Sequence, residues 1–407
     1  VRHRLLPLLA LLALAVAAPA ADAVDGAGLR STLAKLHARM GPSAGAYVVD
    51  LSTGQPIYAH REDLVLAPAS NEKLFVTAPA LLRFGASGTL PTTLRAAPGA
   101  TVDAGGVLRS DLYLVGGGDP SLGDAGLAAL ADQLVAAGVT RVDGGVIGDE
   151  SLFDTLRGGP DSAFRPDSDL GGWLSGLAWR HGRAGGGSPA RTAATEFAAL
   201  LKARDIAYER KPRAGSRPAP AAPGDAAEVA PLATYPSPTI GSLIAATNLP
   251  SENFYAEMLA KALGARFGSG GTTAAGLAVA RAQLASFGVH PKLVDGSGLS
   301  RSDRTTARQL VRLLERMDAQ DSAATWNASL PVAGQSGTLR KRMRGTAAAG
   351  RCRGKTGTLI GVSALSGYCT TTGGVRVAFS LVENRVCNSC AKRIEDRMVS
   401  AIARLDG

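Results

Sequence analysis

Three strand-forming segments, 352–358, 363–370 and 375–382, follow one another at the C-terminal end with only a few residues between them, and all four cysteines lie on them or just beyond. If the first two are antiparallel neighbours joined by residues 359–362, Thr358 faces Ser363. Counting back six residues along each strand then sets Cys352 opposite Cys369. Bridged Cα atoms are usually about 4.4–6.8 Å apart, so a cross-strand or slightly staggered disulfide is within reach. Cys387 and Cys390 are left to bridge each other. Their C-x-x-C spacing also suits a redox or zinc site. The first would want a thioredoxin-like strand-helix context and the second another ligand pair close by, and neither is evident. Structural disulfides that staple one region are the expectation.

Disulfides need an oxidising compartment, and the other end of the chain supplies one. Residues 1–23 read as a secretory signal peptide, with a basic start at Arg2 and Arg4, an apolar run from Leu5 to about Ala18, and small residues up to a cleavage site near Ala23. The run is shorter than the roughly 20 residues of a spanning helix, and Pro7 and Pro19 interrupt it. The expected place is therefore extracytoplasmic: cell wall, a periplasm-like space, or the medium. The net charge of +10 comes from 35 Arg and 9 Lys against 34 acidic residues. These bases are scattered singly with no interleaved aromatics, which argues against nucleic acid. They leave a salt-screened attraction to anionic surfaces, a peripheral association with cell wall or membrane surface.

Helical spacing marks 28–40, 70–83, 127–137, 240–247, 252–264, 272–287 and 305–317, the last with Ser302 or Asp303 as its cap. Pro79 should kink the second of these. Residues 46–50 and 56–59 read as a hairpin. From about Gly85 the texture turns to short strands and Gly-rich turns. Residues 209–237 hold six prolines and read as an extended Pro/Ala/Arg-rich connector. The expected organisation is a discontinuous catalytic domain, 24–88 with 238–407, interrupted by an inserted domain over 89–208.

No cofactor signature and no paired metal-ligand motif is present, and five histidines form neither H-E-x-x-H nor a partner for a G-x-S-x-G nucleophile. Lysine is scarce enough for its placement to matter. Ser70-Asn71-Glu72-Lys73 sets a hydroxyl and an amine at i and i+3 on one helix face, where a partly desolvated lysine can take a proton from serine. The spacing alone is weak, since Ser389-Cys390-Ala391-Lys392 repeats it. Ser251-Glu252-Asn253 adds a hydroxyl and an amide at a helix start, where Ser251 could equally be a cap. Lys355-Thr356-Gly357-Thr358 lies on a strand, with Gly357 leaving room for a ligand backbone.

In this order the three motifs resemble those of the active-site serine penicillin-recognising enzymes. The surrounding text, from Asn248 to Glu257, Asp295 to Arg301, Leu330 to Leu339 and Gly354 to Leu359, narrows the resemblance. It is similar to the D-alanyl-D-alanine carboxypeptidase/endopeptidase family, the low-molecular-mass class C penicillin-binding proteins of peptidase family S13. Tyr113 to Pro120 and Gly148 to Phe153 carry the likeness into the insertion. The sequence departs from the family around 173–187, and the interval from Ser70 to Ser251 is short, as though one inserted subdomain were reduced. Glu252 stands where Asp is common.

The resemblance implies an α+β fold, an antiparallel sheet flanked by helices of the transpeptidase/β-lactamase-like kind, with a mixed α/β domain inserted between the first two motifs. It implies a serine D,D-peptidase that cleaves D-Ala-D-Ala termini or cross-links of peptidoglycan stem peptides and is acylated by β-lactam inhibitors. Ser70 would be the nucleophile and Lys73 the proton acceptor. Ser251 and Asn253 would relay the proton and position the substrate, and Lys355, Thr356, Gly357 and Thr358 would bind its carboxylate. No cofactor or metal is expected. The alternatives are a β-lactamase or esterase on the same scaffold, and a non-catalytic wall-binding protein.

Overall fold

A computed structural model describes residues 24–184, 187–219 and 230–406. The expected leader and its cleavage site lie outside these residues. The chain makes β1 (Ala44–Asp50) and β2 (Pro56–His60), and then leaves to build β3 (Thr92–Ala96), β4 (Val107–Leu108), β5 (Leu112–Val115), β6 (Arg141–Asp149), β7 (Ala207–Ala214) and β8 (Ala233–Tyr235). It returns with β9 (Cys352–Leu359), β10 (Val362–Thr370) and β11 (Arg376–Asn384). The first and last groups form one antiparallel sheet, in the order β2-β1-β11-β10-β9.

Both faces of this sheet are covered, so β10 and β11 are buried along nearly their whole length. Ala364, Tyr368, Ala378 and Val382 pack under the helices Leu74–Phe84, Ile240–Asn248, Asn253–Phe267 and Ala307–Asp318. Leu365, Cys369, Val377, Phe379 and Leu381 face the other way, against Gly26–His37 and Asn388–Ile402. Leu29, Leu33 and Leu36 form the buried stripe of the first helix, whose N-terminus Asp25 caps through Gly28. Leu74–Phe84 runs at the centre, buried from Leu74 to Leu81, and is continuous through Pro79. The helix expected from residue 305 starts at Ala307, and its cap is Thr306, not Ser302 or Asp303.

The second sheet is mixed, ordered β4-β6-β5-β3-β8 with β7 beside β6. Its own core joins Leu94, Leu112, Leu114, Val142 and Val146 to the helices Asp124–Ala136 and Pro189–Lys202. The stretch expected as a plain connector contributes two of its strands. β7 lies parallel to β6 and β8 antiparallel to β3. β7 buries almost no side chain, contains Pro212 and pairs with shifts in register. Backbone pairing and ion pairs, Glu209 with Arg141 and Arg210 and Arg213 with Asp111, hold it without leaving an apolar alternation to read, and proline is tolerated at such an edge.

β9 and β10 pair with Thr358 opposite Ser363 and Cys352 opposite Cys369, the register expected from sequence, and the disulfides are Cys352–Cys369 and Cys387–Cys390. A crosslink spanning 17 positions should contribute about 3 kcal/mol through loop closure. The double variant Cys352→Ala/Cys369→Ala should therefore show a lowered urea midpoint, with an m-value equal to or larger than the parent's because the unfolded chain is no longer crosslinked; a midpoint equal to that of the parent would show that the strand pair holds without the bridge.

Candidate active site

Ser70 lies in a 3-10 turn, Ala69–Lys73, that feeds the central helix, rather than on the α-helix itself. Two close approaches fix this turn. A Cβ on Gly298, whose φ is +78°, would come within 2.1 Å of the Ala69 carbonyl oxygen, and one on Gly357 within 2.5 Å of that of Pro68. Only glycine lets the 295–300 loop and β9 press on the Ser70 turn from both sides.

The turn buries Lys73 completely, and its Nζ reaches three oxygens: Ser70 Oγ at 3.0 Å, Asn253 Oδ1 at 2.6 Å and the Ser297 carbonyl at 2.5 Å. Asn253 Nδ2 donates to the Asp169 carbonyl at 2.7 Å, which fixes the amide with its oxygen toward Lys73. An amide oxygen and a backbone carbonyl only accept. Of the three partners, only the Ser70 hydroxyl can also donate. Burial lowers the Lys73 pKa to about 8, against the opposing pull of Asp295, Glu257, Glu252 and Glu72. A neutral Lys73 that keeps two N–H bonds thus points its lone pair at Ser70.

Ser251 does not cap the following helix. Glu252 does, accepting from the Phe254 N–H, while Ser251 takes a left-handed φ of +69°. Its Oγ lies 2.7 Å from Lys355 Nζ, which also donates to the Thr356 carbonyl at 2.9 Å. Lys355 is fully buried on edge strand β9, and desolvation followed by repulsion from Lys73 drives its pKa well below the usual lysine value. Thr356 Oγ1 donates to Thr338 Oγ1 at 2.8 Å, and Thr358 is exposed at the mouth. The structure thus links Ser70, Lys73 and Asn253 directly, and Ser251 with Lys355.

Behind Lys73 stands a group of buried carboxyls to which sequence assigned no role. Glu257 Oε1 accepts from the Gly296 and Ser297 N–H groups, and Asp295 accepts from Gly298 and Ser300. Glu72 is fully buried, neither of its oxygens has a hydrogen-bond partner among the described residues, and desolvation, then Asp303, Asp295 and Glu257, raise its pKa well above the usual carboxyl value. Burial and the neighbouring Asp295 push Asp303 up to about 9. The stretches from Asn248 to Glu257 and from Asp295 to Arg301 contain several of these groups. Their spacing gives no hint that they meet, because the pairing crosses about 40 residues.

A profile of the D-Ala-D-Ala carboxypeptidase 3 (S13) family matches residues 27–170 and 188–405. The gap falls on the stretch whose text departs from that family. The chain is 33% identical to a D-alanyl-D-alanine carboxypeptidase of Actinomadura sp. strain R39, over 90% of this chain and 82% of that protein. It is 29% identical to a carboxypeptidase of Mycobacterium tuberculosis, over 88% and 80%. Among solved structures, penicillin binding protein 4 from Haemophilus influenzae superposes with a TM-score of 0.75 at 18% identity, covering 91% of this chain and 99% of that one. A Bdellovibrio bacteriovorus predatory endopeptidase acylated by penicillin G gives 0.56 at 19%, covering 88% and 91%. These likenesses establish the shared fold.

The lowered proton affinity of Lys73 has a kinetic signature. Acylation of Ser70 by a fluorescent penicillin should rise with pH through a midpoint near 8, as neutral Lys73 accumulates. A rate flat from pH 6 to 10 would exclude Lys73 as the titrating acceptor.

Proposed function

The chain belongs to the D-Ala-D-Ala carboxypeptidase 3 (S13) family, and on that premise we propose that it is a serine D,D-peptidase that opens D-Ala-D-Ala termini and D-Ala cross-links of peptidoglycan stem peptides through an acyl-enzyme on Ser70. The observation that carries this reading is the fixed direction of the Lys73 lone pair. With Asn253 Oδ1 and the Ser297 carbonyl holding two N–H bonds, the one remaining site on Nζ faces the Ser70 hydroxyl.

Ser70 Oγ attacks the penultimate D-Ala carbonyl while its proton passes to Lys73. The C–N bond breaks, the terminal D-Ala leaves after its nitrogen receives a proton by way of Ser251, and water hydrolyses the ester. The developing oxyanion is held by the Ser70 and Thr358 backbone N–H groups, each worth about 3 kcal/mol in comparable sites. Lys355, Thr356 and Thr358 hold the terminal carboxylate. That anion offers a counter-charge to Lys355, whose pKa burial and then the Lys73 charge lower in the free protein. Penicillin, which carries a carboxylate beside a strained amide, acylates the same hydroxyl. Two disulfides support a working place outside the cytoplasm, at the cell wall.

Ser70→Ala should abolish covalent labelling by penicillin and D-Ala release from a model pentapeptide, with the melting temperature little changed. Labelling of that variant at another residue, located by mass spectrometry, would refute the nucleophile.

Lys73→Ala and Lys355→Ala should fail differently. Loss of the proton acceptor should slow acylation by every donor, on the order of 10²–10⁴-fold. Loss of the anchor should slow carboxylate-bearing donors far more than neutral thioesters. Equal losses with both donor types in both variants would overturn this division of labour.

A further inference from the structure

Four residues after Asn253, on the same face of the same helix, Glu257 is fully buried, and one of its oxygens is fully engaged. Oε1 accepts from the Gly296 N–H at 2.7 Å and the Ser297 N–H at 2.8 Å, while Oε2 has no protein partner. Asp295 secures the rest of the loop through Gly298 N at 2.6 Å, Ser300 N at 2.7 Å and Ser297 Oγ at 3.2 Å. With its N–H groups tied inward, the loop turns one carbonyl, that of Ser297, onto Lys73 Nζ. We infer that Glu257 is a positioning residue for acylation: it holds the Gly296–Ser297 backbone so that the Ser297 carbonyl engages Lys73 and leaves the Lys73 lone pair for Ser70.

This rests on Ser70 and Lys73 acting as proposed above. Removing Glu257 frees the peptide whose carbonyl orients the amine, and a misplacement of about 1 Å at a reacting group costs on the order of 10²-fold. Charge adds a second effect. Lys73 is faced by Glu72 from its own turn, Glu252 and Glu257 from the neighbouring helix and its cap, Asp295 from the loop, and Lys355 from β9. Glu257 is itself faced by Asp295 and Lys261 and stands near Glu72. Burial and Asp295 raise Glu257 to about 7, so it is ionised in the range where Lys73 titrates and favours the protonated amine.

The test is the pH profile of Ser70 acylation by a fluorescent penicillin, per active site counted by mass spectrometry, for the parent chain, Glu257→Gln and Glu257→Ala, with melting temperatures alongside. Glu257→Gln keeps an acceptor oxygen and loses the charge, so its midpoint should move to lower pH by about 0.5–2 units. Glu257→Ala should acylate about 100-fold more slowly at the parent's plateau pH. A packing role alone would lower the melting temperature and the active fraction while leaving midpoint and rate per active site as in the parent, and that result overturns the inference. If Glu257→Ala does not fold, the Glu257→Gln midpoint decides. Parent protein that is not labelled at Ser70 removes the underlying reading and this inference with it; parent labelling at Ser70 with an unmoved Glu257→Gln midpoint removes this inference alone.

Discussion

One buried amine organises the catalytic half of this protein. Lys73 has no exposed surface, and an ammonium taken out of water is tolerated only where its donors are met. Ser70, Asn253 and Ser297 meet them from three segments far apart in sequence. The nucleophile turn, the start of the 253–267 helix and the 295–300 loop are therefore fixed relative to one another by one nitrogen. The neighbouring carboxyls set its character. Four acidic side chains temper the desolvation that would otherwise strip its proton, leaving it poised near 8.

The inserted region takes part in that arrangement. Its segment after β6 returns to the catalytic sheet's helices, where Asp154 pairs with buried Lys261, Asp161 accepts from Ser300 Oγ, and the Asp169 carbonyl holds the Asn253 amide. His181 stacks on Phe254, the residue after Asn253. Without the Asp169 carbonyl, either end of the Asn253 amide could face Lys73, and the donor end would compete with the proton transfer. The insertion thus selects which atom of a motif residue enters the site.

β9 is held differently. It is the edge strand of its sheet with Lys355 at its centre, paired along its length with β10 and on the other side bridged to Val332 at Arg353. The Cys352–Cys369 bridge ties its first residue to that neighbour, and on the back of the sheet Ser363, opposite Thr358, donates to Glu395. Glu395 in turn pairs with Arg342, beside Glu383, whose pKa burial and then the Glu395 charge raise well above the usual carboxyl value. The strand that carries Lys355 is thereby secured at both ends, and the 331–333 segment covers the first part of its outer edge, with the Ala333 N–H donating to the Cys352 carbonyl and the Gly354 N–H to that of Pro331.

Local chemistry was legible in the sequence. The short connection at residues 359–362 implied a register for β9 and β10, and with it the disulfide pairing, that the structure shows. The three motifs named the groups that meet at the cleft. What lacked a local signal was missed: β7 is held by backbone pairing and surface ion pairs without fully burying a side chain, and the helix cap at Thr306 replaces two equally plausible neighbours. The same holds within the site. The order of three motifs and the resemblance they carry pointed to Ser70 and Lys73, but the direction proposed for the Lys73 lone pair depends on the Ser297 and Asp169 carbonyls and on Glu257. Backbone carbonyls are common to every residue and carboxylates are scattered along the chain, so only folding, which brings positions 169, 257 and 297 around residue 73, decided which of them would act on it.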